Sequence, residues 1–208
     1  MYKEPLMAKT NSEGKDPMEN KWVTEDQFIQ SEKSSDPRPV IMIHGFVGSP
    51  FDYKPLADAL SDYDYDMIIP VVPGQVHTSP IMDRGDFTDE FYIDWLDSII
   101  TETTKRYGRK PYLIGFSMGG AMSSCVAEKD RIEKLVLLAP YYSLPVMNEL
   151  ISDTATGLKY ILPAVPKFQK GKINDPEGYK RYKPSSDMIS VKAFTELQKL
   201  AERGYEKA

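Results

Sequence analysis

The 208-residue sequence predicts an α/β fold, with a mostly parallel sheet, helices on both faces and a small helical cap. Three observations carry this. Between Val40 and Ala139, four short apolar runs alternate with three segments of helical periodicity. A Gly-x-Ser-x-Gly sequence, Gly115 to Gly119, stands at one of the strand-to-helix junctions. After Tyr141 the alternation stops, and a proline-containing apolar segment follows.

Taken in order, residues 1–36 read as a polar tail and connection, and residues 37–208 as the domain. Within the first part, Trp22 to Ile29 fits either a short strand or a helical turn. Val40 to Ile43 is a short apolar run ending at His44-Gly45, as expected of a strand buried on both faces. Tyr53, Leu56, Ala57 and Leu60 are spaced as one face of a helix. Met67 to Val72 is a second buried strand, closed by Pro73-Gly74. Thr88 is placed to cap the next helix, with Phe87 and Tyr92 as its hydrophobic staple. Phe91, Trp95 and Ile99 would then share one face, and Gly108 marks the stop. Pro111 to Gly115 is a third strand, Met118 to Lys129 a helix, and Lys134 to Ala139 a fourth strand. Residues 144–189 read as an insertion of short helices over the carboxyl ends of the strands, a cap. Ser190 caps a last helix with Phe194, Leu197 and Ala201 on one face and Gly204 just past its end.

Hydrophobic residues are 41% and charged residues 27%, as in ordinary globular domains. A net charge of −5 disfavours nucleic acid or an anionic membrane as the main partner, since both attract basic surfaces. Cys125 is the single cysteine, so no internal disulfide forms, and its helical position suits the core. The N-terminus has no apolar signal region and no stretch is long enough to span a bilayer, so a cytoplasmic protein is expected. No His/Cys cluster suggests a metal, and no cofactor is expected. Asp83, Asp86, Asp89, Glu90 and Asp94 read as a solvated helix start that suits the helix dipole. The ten methionines read as packing.

Chemistry concentrates at two loops on the rim where ligands of such sheets bind. In Gly115-Phe116-Ser117-Met118-Gly119-Gly120, the serine stands on a tight strand-to-helix turn with its hydroxyl exposed. Flanking glycines let strand and helix approach where a Cβ would clash. The helix that follows brings N-terminal N–H groups and its positive dipole end beside the serine. The second loop, His44-Gly45-Phe46-Val47-Gly48-Ser49-Pro50, follows the first strand. An oxyanion requires two backbone N–H donors aimed at one point. Met118, after the nucleophile, supplies one, and Phe46 is the candidate for the other.

These segments, with IIPVVPGQ, DWLDSI, PYLIGFSMGGAMSS and KLVLLAPYYSLP, resemble the α/β-hydrolases. They look most like the small bacterial carboxylesterases and monoacylglycerol lipases, whose loop and elbow read HGF-x-GSP and G-x-SMGG. The resemblance covers residues 38–145 closely and the remainder loosely. It implies a serine hydrolase acting on carboxylic esters, with Ser117 forming an acyl-enzyme and the Phe46 and Met118 amides forming the oxyanion hole. The implied partner is a small-molecule ester whose acyl portion lies under the cap.

Two departures accompany the resemblance. The family often has Gly-His-Gly where this chain has Gly74-Gln75-Val76-His77. The family's acid and histidine both follow the nucleophile, whereas His44 and His77, the two histidines here, precede it. The fold is therefore expected to be C-terminally incomplete, with the triad acid and histidine outside the chain and the chain as written inactive. His77 on the rim is an alternative base, and His44 is expected to brace the oxyanion loop. Thioesterase, peptidase, acyltransferase and C–C hydrolase chemistry share this fold. A non-catalytic binding protein or inactive fragment is the reading from another class.

Overall fold

A computed structural model of the chain describes residues 17–75, 87–127, 130–142, 164–166 and 188–208. Its centre is a five-stranded sheet built from β1 (Gln27–Ile29), β2 (Arg38–Ile43), β3 (Tyr65–Ile69), β4 (Tyr112–Phe116) and β5 (Lys134–Leu138). The strand order is β1-β3-β2-β4-β5, with β1 antiparallel to β3 and every other pair parallel.

Period-two alternation along the central strands feeds two cores. Ile41 and Ile43 of β2 and Leu113 of β4 face one side, and Val40, Met42 and Ile114 face the other. On the first side lie helices α3 (Asp89–Tyr107), α4 (Met118–Val126) and α5 (Val191–Lys207). They contribute Leu96, Ile100, Met122, Leu197 and Leu200. On the second side, a 3₁₀ turn (Pro50–Tyr53) and α2 (Lys54–Leu60) place Tyr53 and Ala57. Both faces of β2 are covered, which is why its sequence is a continuous apolar run.

The capping expectations hold. Thr88 Oγ1 accepts the Phe91 N–H at 3.1 Å, and Ser190 Oγ accepts the Ala193 N–H at 3.2 Å. Phe87 lies 6.1 Å from Tyr92, ring to ring, as a staple requires. Gly108, at φ 64°, ends α3 in the left-handed conformation.

Several elements differ from expectation. Part of the presumed tail is ordered: α1 (Pro17–Thr24) precedes β1, and Trp22 packs on the second core with the Lys54 ammonium 5.7 Å from its ring. Strand β1 is three residues long, and of these Ile29 packs on the second core, so it is too short to carry a readable hydrophobic period. In α3 the buried face holds Tyr92, Trp95, Leu96, Ile100 and Thr103, whereas Phe91 is 38% exposed. Of the expected stripe, Trp95 is buried and Ile99 packs partly on the same core, so the buried face spans this stripe and its neighbour. Gly204 lies inside α5 rather than after it, because a Cβ there would meet the Ala121 carbonyl oxygen of α4 at 2.8 Å. Asp89 is not solvated: it is buried and paired with Arg203 Nε at 2.8 Å, tying α5 to the start of α3.

The expected cap falls mostly outside the described residues. Where they enter it, β6 (Ala164–Pro166) pairs antiparallel with β7 (Met188–Ser190). This is strand where helix was expected. Pro166 supplies a reason, since a proline pushes the residue before it toward extended backbone. Among the described residues, no helix is long and apolar enough to cross a membrane.

Candidate active site

The site forms where β4 turns into α4. Ser117 occupies that turn at φ 53° and ψ −114°, a conformation that costs a non-glycine residue about 1–3 kcal/mol. Several backbone bonds hold it there. The Ser117 N–H donates to the Leu138 carbonyl at 3.0 Å, linking the turn to the end of β5. The Ser117 carbonyl accepts from Gly120 (2.9 Å), Ala121 (3.1 Å) and Tyr141 (2.9 Å).

The glycines around Ser117 are steric requirements. A Cβ on Gly119 would overlap the Ile43 carbonyl and lie 2.8 Å from the His44 oxygen. A Cβ on Gly115 would overlap the Gly119 carbonyl. At Gly120 it would meet Pro140 at 2.8 Å. The sequence motif is thus the imprint of a helix packed directly on the end of β2. Met118 follows as the first residue of α4, and the first amides of a helix have no acceptor within it.

The loop after β2 lies against this elbow. A Cβ on Gly45 would sit 3.3 Å from Ser117 Cβ and 3.4 Å from the Phe116 ring. The Gly48 N–H donates to the Gly45 carbonyl at 3.0 Å, closing a four-residue turn with Phe46 and Val47 at its centre. Gly45 C=O and Phe46 N–H share one trans peptide and point in opposite directions. The Gly45 oxygen is also held by His44 Nδ1 at 3.0 Å, so the Phe46 N–H is fixed from its far side.

His44 is fully buried. Its Nε2 accepts the Val72 N–H at 2.9 Å, which makes Nδ1 the protonated nitrogen. Burial pulls its pKa from 6.5 down to about 4, against the opposing pull of the Gly45 carbonyl. With both nitrogens engaged, His44 braces the loop as a neutral imidazole and does not act as base. This has a stability consequence. Below the unfolded pKa of 6.5 the unfolded chain takes up the proton more readily than the folded one. The contribution is complete above that pH and is lost as the pH falls toward 4. At 1.36 kcal/mol per unit, the loss amounts to about 3 kcal/mol. Urea unfolding of parent and His44→Gln at about pH 7 and pH 4.5 measures it. The parent should lose about 2–3 kcal/mol more than the variant, and equal losses would show that His44 does not titrate this way.

His77, the alternative base, lies outside the described residues, as do Asp83 and Asp86. Cys125 is half-buried against the first core, and burial pushes its thiol up to about 11, so it is no nucleophile at neutral pH. Gln75 was noted in the sequence only as a departure from a motif. It is fully buried, and its Oε1 accepts the Val47 N–H at 2.7 Å. No signal along the chain announces a contact between positions so far apart. A cavity of about 380 Å³, lined by Ser31, Asp36, Asp66, Arg106 and Tyr107 among others, lies at the opposite rim, by the starts of β2 and β3.

Comparison with known proteins agrees with this geometry. A family model described as the alpha/beta hydrolase fold matches residues 38–179. A thermostable monoacylglycerol lipase from Bacillus sp. (strain H-257) is 30% identical over 98 residues, covering 44% of this chain. The match spans only about a third of that relative's length, 36%. Among solved structures, the Paleococcus ferrophilus monoacylglycerol lipase superimposes with a TM-score of 0.63 at 23% identity, over 88% of this chain and 72% of that one. A soluble variant of the monoglyceride lipase from Saccharomyces cerevisiae, solved with a substrate analogue, gives 0.65 at 20% identity, over 87% and 64%. A thermostable carboxyl esterase from Bacillus coagulans gives 0.62 at 13% identity, over 85% and 67%. These structural likenesses establish the fold. With a family model matched over more than half its length, and a serine elbow and glycine loop joined as that fold requires, the chain belongs to the α/β-hydrolase family.

Proposed function

We propose that this chain carries the nucleophile and oxyanion hole of a serine hydrolase acting on carboxylic esters of the carboxylesterase or monoacylglycerol-lipase type. The observation that carries the reading is Ser117 in its left-handed turn, with Gly45 packed against it. The Ser117 hydroxyl attacks the ester carbonyl, and the developing oxyanion is received by the Phe46 and Met118 amides. The N-terminal end of α4 adds its dipole at the same point. Collapse of the tetrahedral intermediate expels the alcohol and leaves an acyl group on Ser117, which water then removes. The ester reading, over other chemistries of the fold, draws on the monoacylglycerol lipase and carboxyl esterase among the relatives. The acyl portion of the substrate would lie beneath residues 144–189.

A base must take the hydroxyl proton, and the geometry of His44 leaves it out. The 208 residues contain one other histidine, His77, and none after Ser117. The test is a substrate panel at high protein concentration, with p-nitrophenyl esters, a monoacylglycerol, a thioester and an anilide. Ester cleavage should exceed the others and disappear in Ser117→Ala. Ester cleavage that persists in Ser117→Ala, or a preference for the anilide, contradicts the proposal.

A further inference from the structure

We propose that Gln75 is a positioning residue for the oxyanion hole, holding the turn that carries the Phe46 amide. The inference rests on the proposed role of that amide. Two loops meet here, one after β2 and one after β3, and two buried side chains join them. His44 reaches from the first loop to the Val72 amide of the second. Gln75 reaches back, its Oε1 accepting the Val47 N–H at 2.7 Å. Its Nε2 donates to the Tyr92 hydroxyl at 3.0 Å, and that hydroxyl lies 3.3 Å from the Pro73 carbonyl, to which it donates. The Gln75 N–H donates to the Val72 carbonyl at 3.1 Å, so its backbone is held as well.

What Gln75 holds is a strained residue. Val47 has φ 56° and is 3% exposed. It is the third residue of the turn closed by Gly48 and Gly45, a place where a left-handed backbone ordinarily calls for glycine or asparagine. A β-branched side chain adopts that conformation only where its surroundings over-determine it. The amide acceptor of Gln75 is one such constraint. Without it, Val47 can relax toward a negative φ, which re-aims the peptide between Phe46 and Val47. His44 fixes the peptide on the N-terminal side of Phe46, and Gln75 fixes the one on the C-terminal side. The oxyanion donor stands between two clamps. Oxyanion stabilisation depends on donors that are already aimed, and removing one such donor typically costs a hundred- to a thousand-fold. Loosening the turn without deleting the donor should cost less, about tenfold or more.

The test is phosphonylation of Ser117 in the 208-residue protein by a fluorophosphonate probe, followed by intact mass, with thermal melting of every variant. The phosphoryl oxygen of the probe takes the place of the ester oxyanion. Gln75→Met keeps the side-chain volume and removes the acceptor. Its maximal labelling rate should fall about tenfold or more, while the half-saturating probe concentration stays within about twofold. Gln75→Glu restores an acceptor oxygen and should recover most of the rate. If Gln75→Met does not fold, Tyr92→Phe removes the hydroxyl that holds the Gln75 amide and should slow labelling several-fold. Labelling rates unchanged in the folded variants, with only the melting temperature lowered, would overturn the positioning role and leave the proposed function standing. Because Ser117 without a base reacts slowly, labelling is followed to long times at high probe concentration. An unmodified protein that labels at Ser117 no faster than at its other serines would overturn the proposed function and this inference with it.

Discussion

Purified as 208 residues, the protein is expected to hydrolyse a short-chain p-nitrophenyl ester no more than about a thousand-fold above the uncatalysed rate, far below a complete serine hydrolase. A serine hydroxyl without a base is a weak nucleophile at neutral pH, because its proton has nowhere to go as the new bond forms. In serine hydrolases, loss of the histidine alone costs about a million-fold in turnover, and the oxyanion hole with binding retains about a thousand-fold or more over water. His44 cannot fill the gap: its two nitrogens are committed to Gly45 and Val72, and burial keeps its pKa near 4. That leaves His77 as the one histidine able to act. The assay therefore includes His77→Ala. The same low residual turnover in both proteins is the expected outcome. Robust turnover that His77→Ala abolishes would make His77 the base and reverse this part of the account.

The largest effect on stability is expected at Gly119. A Cβ there would lie 2.7 Å from the Ile43 carbonyl carbon and 2.8 Å from the His44 oxygen, and closer still to the Ile43 oxygen. All are backbone atoms of the central strand and the loop after it, so none can step aside by changing rotamer. Relief requires α4 to move off β2, opening the first core around Met118, Ala121 and Met122. In an ordinary helix, Gly→Ala gains about 0.5–1 kcal/mol from backbone entropy. Overpacking a tight core costs about 1–3 kcal/mol and sometimes more. With backbone as the obstacle, the net loss for Gly119→Ala should reach about 3–5 kcal/mol, a large part of a domain's usual 5–15 kcal/mol. Gly108→Ala is the comparison: its Cβ would meet nothing within 4 Å, and only the φ of 64° resists it, at a cost of about 1–2 kcal/mol. Urea unfolding of both variants separates the two cases. A Gly119→Ala protein as stable as Gly108→Ala would mean that the elbow is looser than this geometry.

The elbow was legible in the sequence because its constraints are local. The glycines at 115, 119 and 120 answer to atoms of β2, α4 and Pro140, and the pattern they leave spans six residues. The parallel strands were legible for a related reason, since β2 and β4 are buried on both faces and must be apolar throughout. What escaped depended on distant partners. β1 is three residues long and pairs with β3 at the sheet's edge, too short a run to show a period. In α3 adjacent stripes are both apolar, and it takes tertiary contact to add Tyr92, Leu96 and Ile100 to the Trp95 face. Asp89 reads as a helix-start carboxylate until Arg203, from the last helix, closes over it. Gln75 stood out only as a departure from a pattern, and its bond to Val47 spans a separation that no periodicity reports.

The central claim is that Ser117 is a nucleophile aimed at an oxyanion hole, and the most direct measurement is the position of a covalent adduct. The protein is treated with a fluorophosphonate, digested, and mapped by tandem mass spectrometry. A single adduct on Ser117, lost in a Ser117→Ala protein that melts at the same temperature, is the predicted result. An adduct on a different serine, or labelling equal in protein and variant, would contradict it.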